Sequence, residues 1–167
     1  MLAALLTVGL LTLQPCAGAP GYYCGAIARP LDPAGLVPGT ISIGFTWLPH
    51  ANASAPSSGT IVAAEGGPGY PSGGSRDGYR ALFAPLLDTR DLLLMDDRGT
   101  GRSGAIDCKP LQRAKNMTLD NVTACGAQLA NASDLYGTGL AADDLAAIED
   151  ALEIGRASCR ERVSPRV

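Results

Sequence analysis

The chain has a single histidine, His50, one tryptophan, two phenylalanines and only 17% charged residues. Its 13 Lys and Arg are outnumbered by 16 Asp and Glu, for a net charge of −3. That balance offers no basic face to a phosphate backbone, so no nucleic-acid partner is expected. No apolar run reaches the roughly 18–20 residues of a bilayer-spanning helix, so no stable membrane insertion is expected either. No group of His, Cys, Asp or Glu has metal-ligand spacing, and the sequence predicts neither a metal nor another cofactor.

What is present suits one ordinary globular domain: 46% hydrophobic residues, 21 glycines and 12 prolines in 167 residues. Met1 to Leu13 is almost wholly apolar, and Ala17-Gly18-Ala19 supplies small residues for cleavage, so residues 1–19 read as a signal peptide of a secreted protein. The fit is imperfect, because no Lys or Arg precedes the run and Pro20 follows the cut. Cysteine usage agrees with an oxidising compartment: Cys108 and Cys125 flank one loop and are expected to pair. Closing that loop stabilises by roughly 3 kcal/mol in the chain-entropy model. Cys24 is then left without a partner. Asn-x-Ser/Thr sequons begin at Asn52, Asn116, Asn121 and Asn131; they mark surface segments if the host glycosylates, although chance could supply most of them in an Ala-rich chain.

Alternation over Ile41–Leu48 predicts a half-buried strand, and Thr60–Ala64 a second, short one. Tyr79–Leu87 predicts a short helix with Leu82, Phe83, Leu86 and Leu87 on one face. Asp91–Asp96 is a continuous apolar run between charges, the pattern of a strand buried on both faces. A loop from Gly99 to about Leu135 follows. Thr138 is then placed to cap a helix from Gly139 to Leu152. Ala141, Leu145, Ile148 and Leu152 form its buried stripe, and Asp143 and Asp144 sit early, where the helix dipole favours them. Strand, strand, helix, buried strand, helix is the opening of an α/β sheet.

Beyond Glu153 the composition turns Arg-rich, and Ile154–Val163 resembles the conceptual translation of a short-read sequencing adapter. Residues 154–167 are therefore expected to be a non-native tail, and Cys159 to have no redox role.

Two glycine-rich turns are candidates to carry chemistry, although the first taken alone also suits an ordinary Gly-Pro turn. Glu65-Gly66-Gly67-Pro68-Gly69 follows a strand directly, and its glycines let backbone N–H groups turn outward toward a developing oxyanion. Asp96-Asp97-Arg98-Gly99-Thr100-Gly101-Arg102-Ser103 follows the buried strand. Gly99 to Gly104 also matches G-x-G-x-x-G, but the dinucleotide reading needs a helix opening on the glycines. Here Asp107, Cys108 and Pro110 follow instead.

Taken together, a strand ending in Gly-Gly-Pro-Gly, a helix, and a strand ending in Asp-x-Arg-Gly-x-Gly-x-Ser resemble the proline iminopeptidase and tripeptidyl aminopeptidase branch of the α/β-hydrolases. The resemblance spans about Ile41 to Leu152, through Cys108, Cys125, Tyr136-Gly137-Thr138 and the helix at Ala141–Leu145. It implies residues 20–153 as the N-terminal part of an α/β-hydrolase sheet, truncated before the nucleophile strand. It implies a secreted serine hydrolase that releases residues or short peptides from peptide N-termini through an acyl-enzyme. Peptides or small esters and amides are the substrates so implied. A small-molecule esterase, or a non-catalytic binding protein of the same fold, is the alternative.

By the same resemblance the backbone N–H of Gly67 stabilises the oxyanion and Gly66 shapes the turn, while Asp96, Arg98, Gly99 and Gly101 form a bracing turn. Family members often carry His before the glycines, where Glu65 stands here. The elbow G-x-S-x-G does not occur in the 167 residues. His50 precedes the oxyanion turn, which is the wrong order for a triad base, and reads as a surface histidine. The fragment itself is expected to be inactive.

Overall fold

The computed structural model describes residues 4–66 and 69–154. The architecture is mixed α/β, a curled six-stranded sheet followed by helices. The strands are β1 (Leu6–Val8), β2 (Leu11–Pro15), β3 (Tyr23–Pro30), β4 (Thr40–Leu48), β5 (Thr60–Ala63) and β6 (Asp91–Met95), in the order β1-β2-β3-β4-β6-β5. All neighbours are antiparallel except β5 and β6, which run parallel. Parallel neighbours need a crossover, and α1 (Arg76–Phe83) supplies it.

β6 is buried along its whole length, as its apolar run predicts. Leu93 and Met95 join Ile43, Phe45 and Ile148 in one cluster, whereas Leu92 and Leu94 join Leu48, Leu87 and Tyr22 in another. The strand's period of two thus feeds two cores, one on each face. Each fully buried leucine contributes about 1.5–3 kcal/mol of transfer free energy. The helix α4 (Thr138–Leu152) covers the first face through Ala141, Ile148 and Leu152, and α1 lies over the second through Tyr79 and Phe83.

The N-terminal segment is part of this sheet. β2 pairs with β3, Leu13 is 1% exposed within the α4-side core, and Cys16 is disulfide-bonded to Cys24. Cys24 therefore has a partner, contrary to the expectation that it stands alone. The short segment 16–24 turns β2 back onto β3 and brings the two cysteines together. At the tip between β1 and β2, the N–H of Leu10 donates to the Ala151 carbonyl at 2.9 Å, satisfying one of the free carbonyls at the end of α4.

Several boundaries differ from the sequence expectations. α1 occupies 76–83 rather than 79–87, because Pro85 has no N–H to donate and ends the helical ladder. Leu82 and Leu86 face solvent, at 68% and 47% exposure, while Leu87 alone of the final pair turns into the core. The stretch expected as a loop contains α2 (Lys109–Gln112), α3 (Leu119–Leu129) and a 3-10 segment, Ala130–Tyr136. Thr118 caps α3 by accepting the Asn121 N–H, and Cys108–Cys125 ties α2 to α3. The cap of α4 is Gly137 rather than Thr138, which lies inside the helix with no capping bond. The supposed non-native tail lies outside the described residues apart from Ile154, which packs against the α4-side core.

Candidate functional site

The two glycine-rich turns leave the sheet at the same end, because β5 and β6 are adjacent and parallel. The first begins at Ala64. The Glu65 N–H donates to the Ser72 hydroxyl at 3.0 Å, and the Tyr79 hydroxyl donates to the Ala64 carbonyl at 2.9 Å. Both bonds fasten the start of the turn to the leading end of the crossover. Gly66 is exposed, with open space where a Cβ would stand. Gly67, assigned the oxyanion N–H by resemblance, lies outside the described residues, as does Pro68.

The second turn is organised by Asp96. Its carboxylate accepts the Gly73 N–H at 2.8 Å on one oxygen and the Arg102 N–H at 3.0 Å on the other. One side chain so joins the loop before α1 to the turn after β6. The buried Ser103 hydroxyl donates to the Asp96 carbonyl at 2.6 Å and accepts the Gly44 N–H at 2.9 Å, holding the turn against β4. Gly101 has φ +43°, and a Cβ there would run into the Asp96 carboxylate and Pro71. Gly99, at φ +83°, lies under the Tyr136 ring and Ile106. Both positions require glycine for conformation and for space.

Arg98 points into the protein. Its Nε and Nη2 donate to the two carboxylate oxygens of Asp144 at 2.8 and 2.9 Å, and its Nη1 donates to the carbonyls of Leu31 and Leu135. Asp144 also receives Arg29 at 3.2 Å. Sequence reasoning placed Asp144 early in α4 for the dipole and missed this partnership. The signal was there, because Ala141, Asp144, Ile148 and Leu152 share one helical stripe, and a carboxylate on a buried stripe needs a cation.

Between the turns lies a cavity of about 800 Å³, lined among others by Glu65, Gly66, Asp97, Tyr136 and Leu145. Burial pushes the Asp97 carboxyl above the usual carboxylate range, and the charges of Asp96 and Asp144 raise it further. Arg98 also borders the cavity, but its donors are consumed by Asp144 and two carbonyls, so among the described residues the unpaired charge lining it is negative. A second cavity of about 690 Å³ lies beside the N-terminal hairpin, lined by Asp96, Gly101, Arg102 and Arg76. The Arg76 Nε is buried without a hydrogen-bond partner among the described residues.

His50 sits at the opposite end of β6. Its Nδ1 is 2.8 Å from the Asp91 carboxylate, which also accepts the His50 backbone N–H, and its Nε2 is 3.0 Å from the Ala55 carbonyl. It is an anchored side chain rather than the free surface histidine the sequence suggests. Both ring nitrogens face acceptors, and only the imidazolium can donate to both. Accordingly these bonds hold its pKa above the ordinary histidine value.

Among the described residues no three His, Cys, Asp or Glu side chains form a metal-binding group, and no helix is long and apolar enough to cross a membrane. The two disulfides are the chemistry of an oxidising compartment. No protein-family model matches the chain, and no curated protein matches it.

Proposed function

We propose that this chain supplies the N-terminal half-site of an exported α/β-hydrolase of the serine aminopeptidase type. The observation that carries the reading is the meeting of the two glycine-rich turns around one cavity at the carboxyl ends of adjacent parallel strands. In open α/β sheets that end of the strands is where ligands bind. The loop between a strand and its following helix is also where this hydrolase fold takes one of its oxyanion N–H donors.

In this reading the Gly67 N–H stabilises the oxyanion of the tetrahedral intermediate, with Gly66 leaving the backbone free to approach the substrate. Asp96 fixes the segment that follows this turn through Gly73, and Arg98 with Asp144 locks the neighbouring turn to α4. These are positioning residues, remote from the reacting atoms. The nucleophile, acid and base come from sequence outside these residues, in the order Ser, Asp or Glu, His. The chain without them is inactive.

An aminopeptidase is favoured over a neutral esterase by the charge of the cavity. Glu65 and Asp97 line it while Arg98 is spent on Asp144, and this suits the ammonium group of a peptide N-terminus. The test is the gene read onward from the Leu152 codon, with its product exposed to a fluorophosphonate probe and to aminoacyl anilides. Covalent labelling at the serine of a G-x-S-x-G turn, with anilide turnover, is expected. A continuation lacking that serine would sink the enzyme reading and leave a binding protein of the same fold.

A further inference from the structure

The chain contains four asparagines, Asn52, Asn116, Asn121 and Asn131, and every one is followed at the second position by Ser or Thr with no intervening proline. Ser and Thr are 20 of the 167 residues. Random placement would give all four asparagines a hydroxyl at that position roughly once in five thousand chains, so chance is a poor account of them as N-glycosylation acceptors. Asparagine is otherwise useful in turns and caps, and a chain with 21 glycines and many turns has room for asparagines outside sequons. None is found there.

The structure adds where they lie. Asn116 and Asn131 are exposed, and Asn52 and Asn121 are half-buried. Asn52 accepts the Ser54 N–H through Oδ1, which leaves Nδ2, the atom that carries a glycan, free of that bond. Three of the four lie on the lobe formed by α2, α3 and the 3-10 segment. Neither α2 nor α3 buries a residue, and the lobe exposes Met117 at 78%, Leu119 at 79% and Val122 at 42%. A disulfide fixes this lobe in place of a core, and it leaves apolar side chains beside three potential acceptors.

We infer that these asparagines carry N-linked oligosaccharides, with Asn116 and Asn131 the principal sites, and that the sugars cover the apolar surface of α3. The donor is a polyisoprenoid-diphosphate-linked oligosaccharide. The Nδ2 of asparagine forms a bond to the anomeric carbon, whose bond to the diphosphate oxygen breaks. The diphosphate leaves with the electron pair and Nδ2 gives up one proton, with no change of oxidation state. The inference shares the export reading, since the donor is met only on the far side of a secretory membrane, but it does not depend on the hydrolase chemistry.

The test uses the protein purified from the cells that encode it, intracellular and secreted pools together. It is digested with peptide N-glycosidase in heavy-oxygen water, which converts each glycosylated Asn to a mass-marked Asp. Marked aspartate at Asn116 and Asn131 and a downward gel shift on digestion are expected. Asn116→Gln and Asn131→Gln should each remove one mobility step. Thr118→Ala should remove the Asn116 step whereas Thr118→Ser retains it, which separates the acceptor role of Thr118 from its capping of α3. Peptides bearing unmodified Asn116 and Asn131 in secreted protein would overturn the inference and leave export standing. The same result in protein confined to the cytosol would overturn both.

Discussion

Arg98 and Asp144, 46 residues apart, meet in a two-point ion pair that joins the turn after β6 to the middle of α4. Asp144 is fully buried and Arg98 is 2% exposed. Removing one partner leaves an uncompensated buried charge, at a cost of about 3–5 kcal/mol. Asp144→Ala should lose stability on that scale in urea denaturation. Arg98→Lys should also destabilise, since an ammonium cannot make the planar two-point contact. An Arg98→Met, Asp144→Leu double variant should recover much of the loss. A loss below about 1 kcal/mol for Asp144→Ala would show that the pair is not holding the turn.

The N-terminal hairpin yields a prediction about processing. Cleavage after Ala19 would strip β1 and β2, empty the Leu13 position in the core and leave Cys24 without Cys16. Removing a buried leucine side chain alone costs about 2–5 kcal/mol. The mature protein is therefore expected to begin upstream of Leu6, by N-terminal sequencing, with Cys16 and Cys24 in one disulfide-linked peptide pair. An N-terminus at Pro20 would bear out residues 1–19 as a signal peptide and show that Cys24 ends without Cys16.

His50 makes stability pH-dependent. Its folded-state pKa is raised, chiefly by the hydrogen bond to Asp91 and then by the Ala55 carbonyl. The stabilisation is fully present below the unfolded value of about 6.5 and is lost as pH rises through the higher folded value. Melting temperatures between mildly acidic and mildly alkaline pH should fall across that window in the unsubstituted protein, with the fall absent in His50→Gln. Identical pH profiles for the two would refute the anchored imidazolium.

Gly101 tests the bracing turn directly. Alanine there meets a positive φ and the Asp96 carboxylate together, so Gly101→Ala should destabilise by more than about 1 kcal/mol. Gly66→Ala, with open space around it, should leave stability nearly unchanged. If the chain belongs to the hydrolase proposed above, any effect of Gly66→Ala on the full-length protein should appear in kcat. Equal stability losses at the two positions would remove the distinction between a bracing turn and a free one.

The features legible in the sequence were those with a local physical cause. The apolar run at 91–96 reads as a strand buried on both faces, since alternation is lost when neither face meets water. The stripe Ala141, Ile148, Leu152 fixed the inward face of α4 by helical period alone. The pairing of Cys108 with Cys125 was legible because the two flank one loop. β1, β2, β3, α2 and α3 escaped because their residues are weakly patterned. Leu11–Pro15 reads like leader sequence, and α3 buries nothing, so it leaves no stripe to detect.

By itself the sequence determined the mixed α/β class, the two glycine-rich turns and the inventory of ionisable groups. Only the tertiary structure decided who meets whom. It put Asp144 under Arg98, Asp96 across to Gly73, His50 against Asp91 and Cys16 beside Cys24. The reason is that a charge or thiol has no periodicity to betray its partner. Such pairings are settled by the register of β4, β5 and β6 and by how α4 lies on them, and those depend on the burial of the whole sheet at once.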